Sequence, residues 1–567
     1  MDNQRLLVWA IFGLMVWFTY QAWVQDYAPR SAPASTTQPQ QPAATEATPE
    51  LPDIQAAGDE PAALPDAGAP ATSDAATPED AGETITIRTD VLDLHISTRG
   101  GTLMRALLRR YPVHKDQPDT LVELLSPAAG ELGRVQTGLR STGEGAEPNH
   151  LAAYTTSRST YELGDADQLQ VPLVWTSGDG LSVEKTITLR RGSYIVGIEH
   201  HVRNDSATDW RGAAYAQLQR RNREPERSMF DVDSYSFDGP IIYDGQKSTK
   251  LKRDDLLDDG PFSFNSANGW IASIQHHFLT AVVPPAGEEH RYNVSVRGDV
   301  STASGIGPVK TVAPGEIASF STTAFVGPKL QAQLETIDPK LKLTVDYGWL
   351  TIIAEPLFWL LSKIYGMVGN WGVAIIIVTI LIKLAFYKLT EASGRSMAKM
   401  REIQPRMKAL QERYKDDRQA LSQAMMELYQ REKVNPAAGC LPILIQMPFF
   451  LAFYWVLLES VEMRQAPFAL WITDLSSRDP FFILPLIMGA AMLLQQRLNP
   501  APADPVQARV MQIMPIMFTA FFAFFPSGLV LYWVTNTVLS IAQQWHINKV
   551  VSQEGKQQGG KAKKKGK

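Results

Sequence analysis

The sequence lacks most of the features that mark covalent catalysis or metal binding. It has a single cysteine, Cys440, in 567 residues, which excludes an intrachain disulfide. It contains no His-Glu-x-x-His zinc motif, no Walker-type phosphate loop and no Gly-x-Ser-x-Gly nucleophile elbow. Its apolar segments carry no paired carboxylates of the kind used in proton-coupled pumps or intramembrane proteases. These absences favour a protein that offers an environment rather than a covalent reaction, and we predict no cofactor.

Two adjacent histidine pairs are the remaining candidates for a metal site. His200–His201 and His276–His277 both fall in strand-like runs of alternating apolar and polar residues. Neighbouring side chains of a strand point to opposite faces, so these pairs are poor chelators. We therefore predict a structural role for both pairs and no metal.

Apolar residues are unevenly distributed along the chain. The mean hydropathy of −0.13 is typical of a soluble protein, but long apolar runs are concentrated at the start and in roughly the last 220 residues. Residues 6–24 carry no charge and are long enough to cross a hydrocarbon core. We interpret them as an uncleaved anchor; a cleaved signal peptide is the alternative, because small residues follow from Ser31.

The next two regions differ sharply in composition. Residues 28–82 are rich in Pro, Ala, Thr and acidic residues and contain almost no large apolar side chains, which predicts a disordered tether. From residue 83, short alternating runs are separated by turn signals such as "RGG" and "SGDG". This pattern predicts a large all-β sandwich that extends to residue 338.

The last part of the chain predicts a polytopic α-helical membrane protein with six spans in total, including the anchor. Residues 347–370 are also apolar, but they contain Glu355, Pro356 and Lys363 together with several Trp and Tyr residues. That composition favours an amphipathic helix lying in the membrane interface. The five further spans are predicted at 371–387, 441–458, 481–494, 513–525 and 529–544.

The distribution of positive charge predicts the orientation. Residues 388–433 carry eleven Lys and Arg, whereas residues 460–480 carry two. By the positive-inside rule, the first stretch and the basic tail are cytoplasmic. Six spans then place both termini in the cytoplasm and the β domain on the other side of the membrane. The predicted regions are anchor 1–27, tether 28–82, β domain 83–338, interfacial helix 339–370, span 371–387, cytoplasmic hairpin 388–436, spans with short loops 437–545, and basic tail 546–567.

One cation stands inside an apolar span. Lys383 lies within "AIIIVTILIKLAFYKLT", residues 374–390. Its ammonium group either snorkels to the inner headgroups or faces a water-filled cavity. Several polar residues in this span and in other predicted spans favour the cavity, although the sequence alone does not show that they lie together. These residues are Thr379, Gln446, Tyr532, Thr535 and Asn536.

The cytoplasmic segments offer two further candidate contact surfaces. The hairpin reads as two helices with five methionines, which either form a soft binding surface or pack the helices together: Met397, Met400, Met407, Met425 and Met426. The tail carries lysines that fit a phosphate-rich partner such as ribosomal RNA, or anionic lipid: Lys561, Lys563, Lys564, Lys565 and Lys567.

Several segments closely resemble YidC-type membrane protein insertases of Gram-negative bacteria. The matching segments are "RSMAKMREIQPRMKAL", "EKVNPAAGCLPILIQMPFFLAFYWVL", "ESVEMRQAPFALWITDLSSRDPFFILPLIMG" and "FPSGLVLYWVTN". The resemblance covers the layout of the whole chain and is motif-specific between about residues 346 and 544.

The resemblance implies a non-enzymatic insertase of the bacterial inner membrane, with a five-helix core and a periplasmic domain like a sugar-binding supersandwich. Such proteins insert nascent membrane proteins, alone or beside the Sec translocon, through a hydrophilic groove open to cytoplasm and lipid. Lys383 stands at the position of the family's groove arginine, a departure that keeps the positive charge but loses the planar fork for bidentate carboxylate binding. Thr379, Gln446 and Tyr532 match other groove positions. The hairpin is implied to meet substrates and signal-recognition machinery, and the tail to meet ribosomes.

Two other classes of function are alternatives to the insertase interpretation. A transporter fused to a binding domain would be expected to show internal repeats and interrupted helices in paired positions. Neither feature is visible in the sequence. A pure scaffold is the third class, and its loss would leave membrane insertion intact.

Overall fold

The computed structural model describes residues 82–142, 147–222, 236–415, 417–432, 434, 441–498 and 505–565. The predicted anchor, residues 1–27, and all but the last residue of the predicted tether lie outside these ranges, as do Cys440 and Lys567.

The regular secondary structure in the first half of the described chain is almost entirely β-strand. In chain order the strands are β1 Thr84–Arg88, β2 Leu92–Ser97, β3 Thr102–His114, β4 Gln117–Leu125, β5 Gly133–Ser141, β6 Thr160–Glu162, β7 Gln168–Thr176, β8 Leu181–Arg190, β9 Ile195–Asn204, β10 Trp210–Arg221, β11 Asp238–Tyr243, β12 Ser248–Lys250, β13 Phe262–Ser266, β14 Trp270–Gln275, β15 Phe278–Val283, β16 His290–Arg297, β17 Val300–Ile306, β18 Lys310–Val312 and β19 Ile317–Pro328. A short helix, α1 Arg253–Asp258, lies between β12 and β13.

These strands form two sheets that pack face to face. The larger sheet has eleven strands in the order β13-β16-β17-β10-β5-β3-β2-β1-β6, with β18 beside β10 and β4 beside β3. The smaller sheet has eight strands in the order β12-β11-β14-β15-β19-β9-β8-β7. Alternate residues are buried along β8, as the sequence pattern predicts, and Leu94, Val183 and Phe325 contribute to the shared core. The prediction of an all-β sandwich is confirmed.

A lysine is buried inside this sandwich. Lys185 is fully buried, and its Nζ donates to the carbonyl oxygens of Gly100, Gly101 and Thr137 at 2.6, 3.2 and 3.2 Å. Gly101 has φ +59°, and a Cβ there would lie 3.0 Å from Nζ, so a side chain would crowd the amine. Burial lowers the pKa of Lys185 from 10.5 to about 7.

The stability of the sandwich is therefore expected to depend on pH through Lys185. Between about pH 7 and 10.5 the unfolded chain binds a proton that the folded chain does not, so the free energy of unfolding rises with pH across this window. Lys185→Met should remove that rise. Unfolding followed by β-sheet circular dichroism at several pH values measures it, with the exposed Lys247→Met as the control. An unchanged pH slope in Lys185→Met would contradict the expectation.

The prediction that both histidine pairs lie in strands is confirmed for His200–His201 and wrong for His276–His277. His200 is buried and His201 is about 40% exposed on the other face of β9, as expected for a strand. His276 and His277 instead form the turn between β14 and β15, and their rings stack 3.7 Å apart. The strand prediction for this pair is wrong because the alternating pattern runs through a two-residue turn. Within the described ranges, no three His, Cys, Asp or Glu side chains come together in a way that could hold a metal ion.

The second half of the described chain is helical. Its helices are α2 Gln331–Ile337, α3 Thr351–Val368, α4 Trp371–Ala385, α5 Tyr387–Arg413, α6 Arg418–Arg431, α7 Leu441–Glu459, α8 Ile483–Leu498, α9 Pro505–Phe522 and α10 Ser527–Lys565. Helices α4 and α5 meet at a bend of 69°. Asn370 caps α4 by accepting a hydrogen bond from the backbone N–H of Val373.

Helix length and composition do not establish the predicted six spans. Of the described helices, one segment, Gly348–Val368, is long and apolar enough by itself to cross a membrane, and the bent pair α4–α5 meets the same criteria together. The first of these lies in the region predicted to be interfacial. The remaining apolar helical segments are shorter: Gln446–Glu459, Ile483–Leu498 and Arg509–Phe522.

The β domain contacts the helices at the end of α7. Lys329, just after β19, lies 2.8 Å from Glu459, and both side chains are buried. The Nε2 atoms of His276 and His277 lie 3.1 and 2.8 Å from the carbonyl oxygen of Leu458. Beyond α7, Arg464 donates to the carbonyl oxygens of Pro112 and Val113 in β3. We call this contact the joint.

The joint also buries an acidic side chain. Glu462 lies in the 3₁₀ turn Val461–Met463, and its Oε1 accepts a hydrogen bond from the backbone N–H of Gln331 at 3.4 Å. Burial raises the pKa of Glu462 to about 7. The joint therefore combines a buried ion pair with a carboxyl group that is easily protonated near neutral pH.

Candidate functional site

A cavity between α4, α5, α7 and α10 brings together the residues predicted to form a groove. Its walls include Thr379 and Lys383 from α4, Gln446 from α7, and Tyr532 and Asn536 from α10. The four groove residues predicted from sequence thus line one cavity. Thr535, the remaining polar candidate, is not part of the lining.

The cavity is small, with a volume of about 30 Å³, and its lining is mixed in character. Its apolar lining comes from Ile382, Phe386, Leu389 and Phe449, and the rings of Phe386 and Phe449 meet edge to face at 5.1 Å. Thr390 of α5 completes the wall. The cavity therefore sets polar side chains beside apolar ones in a closely packed site.

Lys383 supplies the positive charge of the cavity. It lies in the last turn of α4, just before the bend at Phe386. Its Nζ donates to Ser540 Oγ of α10 at 2.7 Å, and the Ser540 hydroxyl donates to the carbonyl oxygen of Asn536 at 2.7 Å. The ammonium group is thus directed across the cavity towards another helix, and its described hydrogen bond is to a hydroxyl rather than to a carboxylate. This arrangement favours the cavity interpretation over snorkelling.

The other polar residues differ in how much hydrogen-bonding capacity they have left. Thr379 donates to the carbonyl oxygen of Ile375 in its own helix at 2.7 Å, so its hydroxyl hydrogen is already used. Tyr532 is buried, hydrogen-bonds to Gln446 and stacks on Phe453 at 4.6 Å. Tyr532 and Gln446 are thus bonded to each other, and Lys383 is the one cationic side chain among the described residues of the cavity lining.

Sequence reasoning missed Ser540. A signal was present, because Tyr532, Asn536 and Ser540 are spaced four residues apart and therefore share one helix face. Such a polar stripe along an apolar helix indicates a face turned towards other polar groups rather than lipid.

The structure places the five hairpin methionines in different environments. Met407 is buried with Ile403 and Val434, and Met400 and Met425 pack against this cluster. The side chain of Met426 is exposed, and that of Met397 is half-buried. For Met400, Met407 and Met425 this placement favours helix packing, the alternative to a binding surface. The side chains of the five tail lysines lie outside the described part of the chain.

Comparison with known proteins identifies the family. The family model described as 60Kd inner membrane protein matches residues 363–554, and the YidC periplasmic domain model matches residues 84–360. The membrane protein insertase YidC of Thioalkalivibrio sulfidiphilus is 46% identical over 567 residues, with 98% of this chain and 100% of the relative covered. The chain belongs to the YidC family of membrane protein insertases.

A second relative agrees with this result. The membrane protein insertase YidC of Methylococcus capsulatus is 45% identical, with 97% of this chain and 99% of the relative covered. A solved crystal structure of an active YidC insertase covers 82% of this chain and 94% of its own, at 19% identity and a TM-score of 0.36. The relatives are named as insertases rather than as enzymes, and the resemblance inferred from the sequence motifs is confirmed.

Proposed function

We propose that this protein inserts nascent membrane proteins into the bacterial inner membrane and uses the Lys383 cavity as its hydrophilic groove. The observation that carries the proposal is the convergence of Lys383, Gln446 and Asn536 from three helices on one cavity whose remaining lining is largely apolar. A polar segment of a substrate would enter the cavity while its apolar segment moves along the neighbouring helices into lipid.

The short helices around the cavity would lower the free-energy cost of moving a polar segment across the bilayer. Helix α8 has 16 residues and is therefore about 24 Å long, shorter than a hydrocarbon core of about 30 Å. Short helices around a polar cavity would thin the local bilayer and lower the cost of moving a polar segment across it. Partitioning of the substrate's apolar helix, at about 0.8 kcal/mol per buried CH₂, would supply the driving force.

The proposed topology keeps six spans, with both termini in the cytoplasm and the β domain in the periplasm. Its support is the excess of Lys and Arg in the hairpin segment. In this arrangement the region 339–370 lies in the outer interface, consistent with the exposure of Trp349 and Trp359 in that region. The hairpin, with exposed Met426, would meet substrates and signal-recognition machinery. The basic tail would meet ribosomes or anionic lipid, and the Sec translocon would act as a partner.

Reconstitution of the purified full-length chain tests the proposed activity. Liposomes that contain the protein should protect the translocated tail of a single-span model substrate from added protease, and empty liposomes should not. The same vesicles should not accumulate small sugars, which separates insertion from the transporter alternative. Equal protection in empty liposomes and in liposomes with the protein would contradict the proposal.

A further inference from the structure

The hydroxyl of Ser540 accepts a hydrogen bond from the ammonium group of Lys383, and no role has yet been assigned to it. We propose that Ser540 is a positioning residue: it holds Lys383 against α10 so that the charge stays inside the cavity and serves substrates with acidic polar segments. This inference rests on the proposed groove function and adds to it a residue that does not itself contact the substrate.

The hydrogen-bond directions around Ser540 suit this role. Its hydroxyl hydrogen is used by the carbonyl oxygen of Asn536 one turn earlier, at 2.7 Å. The orientation of the hydroxyl is therefore fixed, and its lone pairs remain for the ammonium group of Lys383 at 2.7 Å. Asn536 lines the cavity and is buried, so the anchor point of this chain of bonds belongs to the cavity wall.

The position of Lys383 explains why such a partner matters. Helix α4 ends at Ala385, two residues after Lys383, and the chain then turns by 69°. A lysine near a helix end has a flexible stem and can move its charge out to the interface. The bond across to α10 opposes that movement.

The hydrogen bond to Ser540 leaves part of the donor capacity of Lys383 available to a substrate. An ammonium group has three donors on one point charge, whereas a guanidinium presents five donors in a planar fork. Ser540 occupies one donor of Lys383, and the other two remain for a carboxylate of the substrate. Loss of Ser540 should therefore affect substrates with acidic segments more than neutral ones.

The first test measures the position of the amine directly and does not depend on insertion. In full-length protein in lipid nanodiscs, the rate at which an amine-reactive reagent labels Lys383 is read by mass spectrometry. Ser540→Ala should raise that rate about three- to tenfold, the range expected from losing one polar contact within a membrane. Ser540→Thr keeps the hydroxyl and should restore the parental rate. Thr535→Val is the matched control, since Thr535 is on the same helix outside the cavity lining. An unchanged labelling rate in Ser540→Ala would overturn the inference.

The second test separates positioning from helix packing. Insertion of a model substrate with an acidic tail should fall about three- to tenfold in Ser540→Ala, while a matched neutral-tail substrate inserts as in the parent. In a Lys383→Met background, Ser540→Ala should have no further effect on either substrate. An equal loss for both substrates, or a further loss without Lys383, would assign Ser540 a packing role and overturn the proposal. If Lys383→Met alone leaves acidic-tail insertion intact, the groove function fails, even where the labelling result stands.

Discussion

Replacing Lys383 by glutamate is expected to reduce insertion of acidic-tail substrates by at least tenfold. The change turns an attraction between Lys383 and a substrate carboxylate into a repulsion. At a separation of about 6 Å and an effective dielectric constant of about 20, one such interaction is on the order of 3 kcal/mol. Since 1.4 kcal/mol corresponds to a factor of ten, a tenfold loss is a lower bound. Protease protection of a single-span substrate in vesicles measures the effect.

Two companion variants locate the cause of that loss. Lys383→Arg keeps the charge and should retain most of the insertion, although its fork cannot reproduce the geometry of the bond to Ser540. Lys383→Met removes the charge without reversing it and should fall between the parent and Lys383→Glu. If all three variants insert acidic-tail and neutral-tail substrates like the parent, Lys383 only snorkels and the charged-groove account is wrong.

Lys329→Met is expected to weaken the joint between the β domain and α7 by about 3–5 kcal/mol. Lys329 and Glu459 are both buried and lie 2.8 Å apart. Removing the lysine leaves the carboxylate of Glu459 in a site with little water, and the cost of that uncompensated charge dominates the change. Hydrogen exchange should show faster opening of β15 and of the end of α7, and the thermal midpoint should fall.

Two controls separate buried charge from lost packing at the joint. The double variant Lys329→Met, Glu459→Leu removes both charges and should recover most of the stability. Arg203→Met breaks the pair between Arg203 and Asp205, which are 61% and 54% exposed, and should cost at most about 1 kcal/mol. A loss in the double variant as large as in Lys329→Met would show that packing, not the charge, holds the joint.

Much of the architecture could be predicted because its causes are local. Alternating patterns identified the β sandwich, since residues such as Val183 and Ile187 must face the same core. The uninterrupted apolar run before Lys383 predicted a helix, now α4, and the motifs of the second half identified the family. Thr379 and Lys383 could be placed on one face because helical spacing alone dictates it.

The rest depends on contacts between distant segments, which spacing does not encode. His276 and His277 continue the alternating pattern of a strand but form a turn that docks on Leu458, about 180 residues away. Lys329 looks like an ordinary surface lysine until the fold buries it beside Glu459. The contact of Ser540 with Lys383 could not be predicted, because it forms only when α10 packs beside α4.

Photo-crosslinking from the cavity to a stalled nascent chain tests the central claim most directly. A photoreactive residue at Thr379, Gln446 or Tyr532 lies in the cavity wall, whereas one at the exposed Ile317 of the β domain serves as a distant control. The account predicts that a single-span substrate stalled during synthesis crosslinks from the three cavity positions, through its polar tail or the adjoining apolar segment, and not from position 317. Crosslinks absent from all three cavity positions, in protein that still inserts the substrate, would contradict it.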